Sequence, residues 1–221
     1  MVEKDLKHDM LYLKDQLAET LITECLKDPN YHLRGAVVQR RKDNPGMKND
    51  SKIIKRYTFN TVDDFNYYKD EIQSYVKLFN ARFYLQPSVK SYETIGLEVL
   101  NQLATLFIHR DYEAIKNMYD TIADGNTGVK SLRLWLIDAD VNENTNKDWL
   151  PELIMYLYEN VPQGQKLLIT PTLSGYHILT VPHKRDNNKI KEIANKNKVE
   201  ISYKTNSSTL IYWKELLENG L

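Results

Sequence analysis

The sequence predicts an α+β protein built in two halves, and three observations carry that prediction. Apolar residues recur at helical spacing along the first 27 residues and again over 61–79. Short segments rich in β-branched and aromatic residues, bounded by polar turns, alternate with these helices. From about residue 132 the elements read strand, helix, two strands, helix, strand, which is the split βαβ order of ferredoxin-like domains. In that arrangement the first and third strands lie side by side at the sheet centre. The expected division is an N-terminal helix over 1–27, an α/β portion over 28–127 and a sheet portion over 128–221, together forming one domain.

A chain of 221 residues can bury an ordinary core without disulfide or metal staples. Lys plus Arg equals Asp plus Glu at 30 each, so net charge does not point to a nucleic-acid partner, although local patches can still bind one. The single cysteine, Cys25, cannot pair internally and fits a reducing compartment. No apolar run approaches the length of a membrane span and the N-terminus does not read as a signal peptide. A cytoplasmic location with no membrane partner is therefore expected.

In chain order, Leu6, Met10, Leu13, Leu17, Leu21 and Cys25 place one apolar stripe on the first helix, which should end near Lys27, ahead of Pro29. Strands over 35–40 and 53–59 read as a hairpin whose polar connection turns at Pro45-Gly46. Its tip carries Arg40, Arg41, Lys42, Lys48 and Lys52, either a solvated loop or a set of phosphate contacts. Thr61 or Asp63 can cap a helix running to about Phe79, with Phe65, Tyr68, Ile72 and Val76 on one face. A short strand over 81–85 contains Arg82, which needs solvent, a phosphate or a carboxylate partner there. Helices over 92–109 and 112–122 follow.

The second half begins with Leu132-Arg-Leu-Trp-Leu-Ile-Asp-Ala-Asp140, an apolar strand ending in two carboxylates. Side chains alternate across a strand, so Leu136, Asp138 and Asp140 share a face and the two aspartates emerge together. Neighbouring like charges are relieved by a cation, and Mg2+ or Mn2+ takes one or two carboxylates plus phosphate oxygens. A solvated strand end is the alternative. A helix over 149–160, strands over 166–171 and 176–181, a helix over 188–196 and strands over 200–204 and 209–213 complete the chain. The turn and strand of Thr170-Pro-Thr-Leu-Ser-Gly-Tyr-His-Ile-Leu-Thr180 place Gly175 and His177 on one face. If this strand neighbours the aspartate strand, His177 can reach a nucleotide and Gly175 can admit a ligand close to the backbone.

An apolar strand ending in Asp-x-Asp, followed downstream by Ser-Gly-x-His on a strand, resembles motifs one and two of the archaeo-eukaryotic primase superfamily, in particular small bacterial or mobile-element members. The resemblance spans 132–213, with weaker likeness in Arg40-Arg-Lys-Asp-Asn44 and Asn80-Ala-Arg-Phe-Tyr84. It implies a primase-like fold with an RRM/ferredoxin-like catalytic half joined to an N-terminal α/β half. It also implies divalent metals on Asp138 and Asp140 and nucleotide contacts from His177, with Ser174 and Gly175 alongside. The third motif of the family is acidic; here Asn206 or Thr205 stands in its place, unless Glu200 or Asp186 substitutes.

The expected function is divalent-metal-dependent nucleotidyl transfer in replication, taking nucleoside triphosphates with DNA or RNA. Arg82 and the cluster Arg40, Arg41 and Lys42 would track phosphates. Three alternatives stand beside it. They are a catalytically degenerate module that binds nucleic acid or assembles with replication proteins, a metal-dependent nuclease using the same aspartates, and a purely structural domain.

Overall fold

The computed structural model describes residues 2–125, 134–163, 165, 167–204 and 207–218. Among them, eight helices and two antiparallel four-stranded sheets form an α+β fold. The first part runs α1 (Val2–Cys25), β1 (Tyr31–Arg40), β2 (Ser51–Phe59), α2 (Val62–Leu78), β3 (Arg82–Ser91), α3 (Tyr92–His109), α4 (Tyr112–Ile115) and α5 (Met118–Gly125). The second runs β4 (Trp135–Asp140), α6 (Trp149–Asn160), β5 (Leu168–Pro171), β6 (Gly175–Thr180), α7 (Asn187–Asn197), β7 (Glu200–Lys204), β8 (Thr209–Trp213) and α8 (Lys214–Glu218).

Sheet one has the order β2-β1-β3-β8. One face carries Leu33, Val37, Tyr57, Phe59, Phe83 and Leu85, which pack in a single core with Leu17, Leu21 and Ile22 of α1, Phe65, Ile72 and Val76 of α2, and Leu216 and Leu217 of α8. Helix α2 starts where the sequence places it, because Thr61 and Asp64 form a reciprocal capping box. Its Phe65, Ile72 and Val76 are buried as expected. On α1 the stripe is displaced: Leu13 is exposed, whereas Lys14, Ala18 and Ile22 are buried beside Leu17 and Leu21. A contact surface wider than one residue per turn replaces the narrow stripe, because α1 lies across both β8 and neighbouring helices.

The Arg82 strand is twice as long as 81–85 predicts, because β3 continues through Pro87 to Ser91 while pairing with β1. A register irregularity between His32 and Arg34 accommodates the proline. The second helix of the 92–122 region is broken into α4 and α5.

Sheet two has the order β5-β6-β4-β7, all antiparallel, so the first and third strands of the second half are neighbours as expected. Strand β4 begins at Trp135; 131–133 lie outside the described residues. Ile137, Ala139 and Ile178 face α6 and α7 and form a second core with Trp149, Leu153, Leu157 and Ile193. Leu136 and Leu179, on the opposite face, join the core of sheet one. Strand β8, grouped with the second half by position, pairs with β3 in sheet one. All five of its residues are buried, beneath α1, α2 and α8 and against His177 of sheet two. The two sheets therefore face one another, with the aspartate face of sheet two turned toward sheet one.

Lys14 is fully buried in α1 and donates to the Leu210 carbonyl of β8 at 2.7 Å, with its ammonium 5.4 Å from the Trp213 ring centre. Its neighbour Asp15 is engaged instead by Lys69 and Tyr212. Burial pulls the Lys14 pKa down to about 7. Between that value and the ordinary 10.5 the unfolded chain binds more protons than the folded one, so stability rises with pH across this interval. Lys14→Met should flatten that rise and stabilise the protein at neutral pH by about 1–3 kcal/mol, read from urea unfolding as a function of pH.

Candidate functional site

Register places the site residues before any side chain is considered. Asp138 lies opposite His177 of β6 and Ser202 of β7, while Asp140 lies opposite Gly175 and Glu200. Cross-strand partners project from the same face, so both aspartates, His177 and Glu200 share the side turned to sheet one. Gly175 is required by β4 itself: a Cβ there would lie 1.9 Å from the Ala139 carbonyl oxygen. The close approach it permits is that of a neighbouring strand, and the ligand contact expected of it is not where the space lies.

Each aspartate is held. His177 is buried, and its Nε2 lies 3.4 Å from Asp138 Oδ1. Its other nitrogen, Nδ1, accepts from the Leu210 backbone N–H at 3.3 Å and lies 3.1 Å from Thr209 Oγ1. A backbone N–H can only donate, so in the neutral ring the proton sits on Nε2 and points at Asp138. Lys204 forms an ion pair with the second oxygen, Asp138 Oδ2. The His177 hydrogen bond and the Lys204 ammonium outweigh burial and hold the Asp138 carboxyl down to about 2. Asp140 accepts from Ser174 Oγ at 2.6 Å through Oδ1.

The opposing wall comes from sheet one. Arg82 is buried and grips Asp43 with two hydrogen bonds of 2.6 Å. The salt-bridge reading of this arginine is thus realised, while its side chain still lines the cleft. The same connection is pinned by Asn44 to the Asn80 carbonyl at 2.9 Å and by Asn80 to the Asp43 carbonyl at 2.7 Å. These contacts fold it back over the start of β3, so that Arg40 and Lys42 line the cleft with Asp138, Asp140, Ser174 and His177. Lys42 has its ammonium pKa lowered by burial and by Arg82 and Arg40, against the pull of Asp43 and Asp140. Arg41 points elsewhere, pairing with Asp50 at 2.9 Å on the exposed hairpin tip.

The cleft encloses about 210 Å3. Arg40, Lys42, Arg82 and Lys204 set four positive charges against the carboxylates of Asp138 and Asp140 on its walls, with Asp43 behind Arg82. Such a surface suits a polyanion. A second groove of about 390 Å3 continues from it along the open face of sheet one, sharing Arg40, Tyr84, Ser207 and Ser208 and adding Arg34, Arg56 and Gln86.

Of the third-motif candidates, Thr205 and Asn206 lie outside the described residues. Glu200 is exposed at its place opposite Asp140 and does not line the cleft. Asp186 is spent as the N-cap of α7, accepting from the Asn188 and Lys189 backbone at 2.9 and 3.2 Å. Among the described residues no group of three or more His, Cys, Asp or Glu is placed to hold a metal ion. Sequence reasoning missed Lys204 and Thr209. The first alternates with Glu200 and Ser202 on β7, so period two would have placed it on the aspartate face once the β4–β7 register was known. The second was hidden because β8 reaches the site from the other sheet.

Comparison with family models, with curated proteins and with solved structures returns no match for this chain.

The depressed pKa makes Asp138 a source of acid sensitivity. Its stabilisation is present above the ordinary carboxylate value of 3.8 and is lost as pH falls toward about 2. It is worth at most about 2 kcal/mol, the folded-state shift converted at 1.36 kcal/mol per unit. Asp138→Asn should remove that portion of the acid limb in denaturation midpoints measured between roughly pH 2 and pH 6.

Proposed function

We propose that this chain is a primase-like nucleotidyltransferase, binding a nucleoside triphosphate with a divalent metal in the cleft between its sheets. The observation that carries the reading is convergence. Asp138, Asp140 and His177 of one sheet meet Arg40, Lys42 and Arg82 of the other across one cleft, although the two groups lie far apart in sequence. The antiparallel order β5-β6-β4-β7 supports an RRM/ferredoxin-like catalytic half.

The donor set fits a hard ion that takes one or two carboxylates and completes its shell with phosphate oxygens and water. Asp140, tethered through one oxygen to Ser174, and Asp138 would hold Mg2+ or Mn2+. When bound, the ion supplies charge neutralisation to the phosphates undergoing transfer. Lys204 is half-exposed, so its ammonium can leave Asp138 for a phosphate oxygen without a change of fold. Arg40 and Lys42 bind the phosphates from the opposite wall. Arg82 stiffens that wall through Asp43. His177, with Nδ1 engaged by β8, acts by fixing the orientation of Asp138. The adjoining groove with Arg34, Arg56 and Tyr84 is the path for the nucleic-acid strand.

One observation favours a second reading. Lys204 already neutralises Asp138, and no third carboxylate lines the cleft among the described residues, as expected of a degenerate module that binds nucleotide or nucleic acid without turnover. Calorimetric titration of Mn2+ with a nucleoside triphosphate separates the two. Transferase function requires metal-dependent binding that disappears in Asp138→Asn while the variant still melts cooperatively as a folded chain, weakens roughly tenfold to hundredfold in Ser174→Ala, and accompanies primer synthesis. Binding that ignores the metal and survives Asp138→Asn supports the degenerate module. No binding by either protein overturns the transferase reading and leaves the degenerate module only nucleic acid to bind.

As to membranes, no helix among the described residues is long and apolar enough to cross one.

A further inference from the structure

Helix α3 is apolar on both sides. Ile95 is buried, and Val99, Leu103 and Leu106 join it in packing against Met118, Ile122 and Ala123 of α5. The opposite side carries Leu97, Leu100, Ala104, Phe107 and Ile108, all exposed, with Leu97 at 58%, Leu100 at 62%, Phe107 at 55% and Ile108 at 78%. At 3.6 residues per turn these five fall within an arc of roughly 100° that contains no charged residue except Glu93 at its N-terminal end. Polar Thr94, Glu98, Asn101 and Thr105 lie to one side of it. A helix hydrophobic on both faces belongs inside a structure, and the described residues cover only one face.

We propose that this stripe is the interface between two copies of the chain, packed antiparallel through α3. Three features of the helix select that occupant. The spacing of 97, 100, 104 and 107 alternates three and four, the pattern by which one helix seats its side chains between those of another. Antiparallel pairing about a two-fold axis near residue 102 sets Leu97 against Phe107 and Leu100 against the small Ala104, so large meets small.

The same pairing brings the N-terminal end of α3, with Glu93 in its first turn, to the C-terminal end of α3 of the second copy, with His109 in its last turn, so that opposite helix ends meet. Parallel packing would oppose like charges and like helix ends. The area also suffices. The exposed stripe together with the 58%-exposed Tyr112, whose ring lies 5.8 Å from that of Phe107, offers on the order of 600 Å2 per copy, or on the order of 1,200 Å2 in total. That total reaches the lower range of stable interfaces. The interface is independent of the nucleotide cleft, which lies between the sheets.

Sedimentation equilibrium of the full chain over a range of concentrations tests the proposal. The expected result is a species of twice the 25.9 kDa chain mass. Leu100→Glu and Ile108→Glu, both exposed and therefore neutral to the fold, should sediment as monomers with unchanged thermal melts. Oxidation of a mixture of Leu97→Cys and Phe107→Cys chains should cross-link unlike chains and leave like chains unlinked. A monomer at every concentration, leaving the stripe to a different protein, overturns the proposal. A dimer that persists in both glutamate variants, or like-with-like cross-links, also overturns it.

Discussion

The pairing of β8 with β3 is the constraint on which the rest of the molecule depends. This short, fully buried strand follows directly on the elements of sheet two yet completes sheet one. The aspartate face and the arginine face are thereby held against each other with a cleft between them. Strand β8 also enters the chemistry, because Thr209 and the Leu210 N–H hold the imidazole that faces Asp138. From behind, Lys14 of α1 grips the carbonyl of the same Leu210. One peptide region thus receives support from the first helix and delivers it to the site.

The electrostatics of the cleft follow from bringing these walls together. Removing two carboxylates and several cations from water costs free energy that only mutual pairing offsets. The molecule meets that cost unevenly. Arg82 with Asp43 and Lys204 with Asp138 are paired outright, while Arg40 and Lys42 make no ion pair among the described residues. The excess positive charge sits on the wall opposite the acids. Donors that would suit a polyanion are thus held in place by the fold, an arrangement that keeps the ordering cost of any binding there low.

Much of this was legible in the sequence where signals were local. The capping box of α2, the hairpin of β1 and β2, and the element order of sheet two rest on neighbours within a few residues, and each stands where expected. The Asp138, Asp140 and His177 grouping was legible because alternation along two strands needs only their adjacency to become a site. Long-range register was not legible. Nothing in Thr209–Trp213 announces that it crosses to β3, and Lys204 looks like any strand-end lysine until β7 is set beside β4. The stripe of α1 failed differently. Periodicity marks the apolar positions, but it cannot show that Lys14 would be buried by its stem and tip while Leu13 turned outward.

The long sequence separations have a kinetic meaning. The Lys14–Leu210 bond closes a loop of 196 residues, and β3 must wait for β8 to complete its sheet. Contacts of such length form late, after their closure entropy has been met. During synthesis, the hairpin, α2 and the split βαβ sheet can all assemble while the cleft does not yet exist. The cleft thus forms only when Trp213 has cleared the ribosome. A nascent or interrupted chain displays its arginines and aspartates on separate, unmatched surfaces.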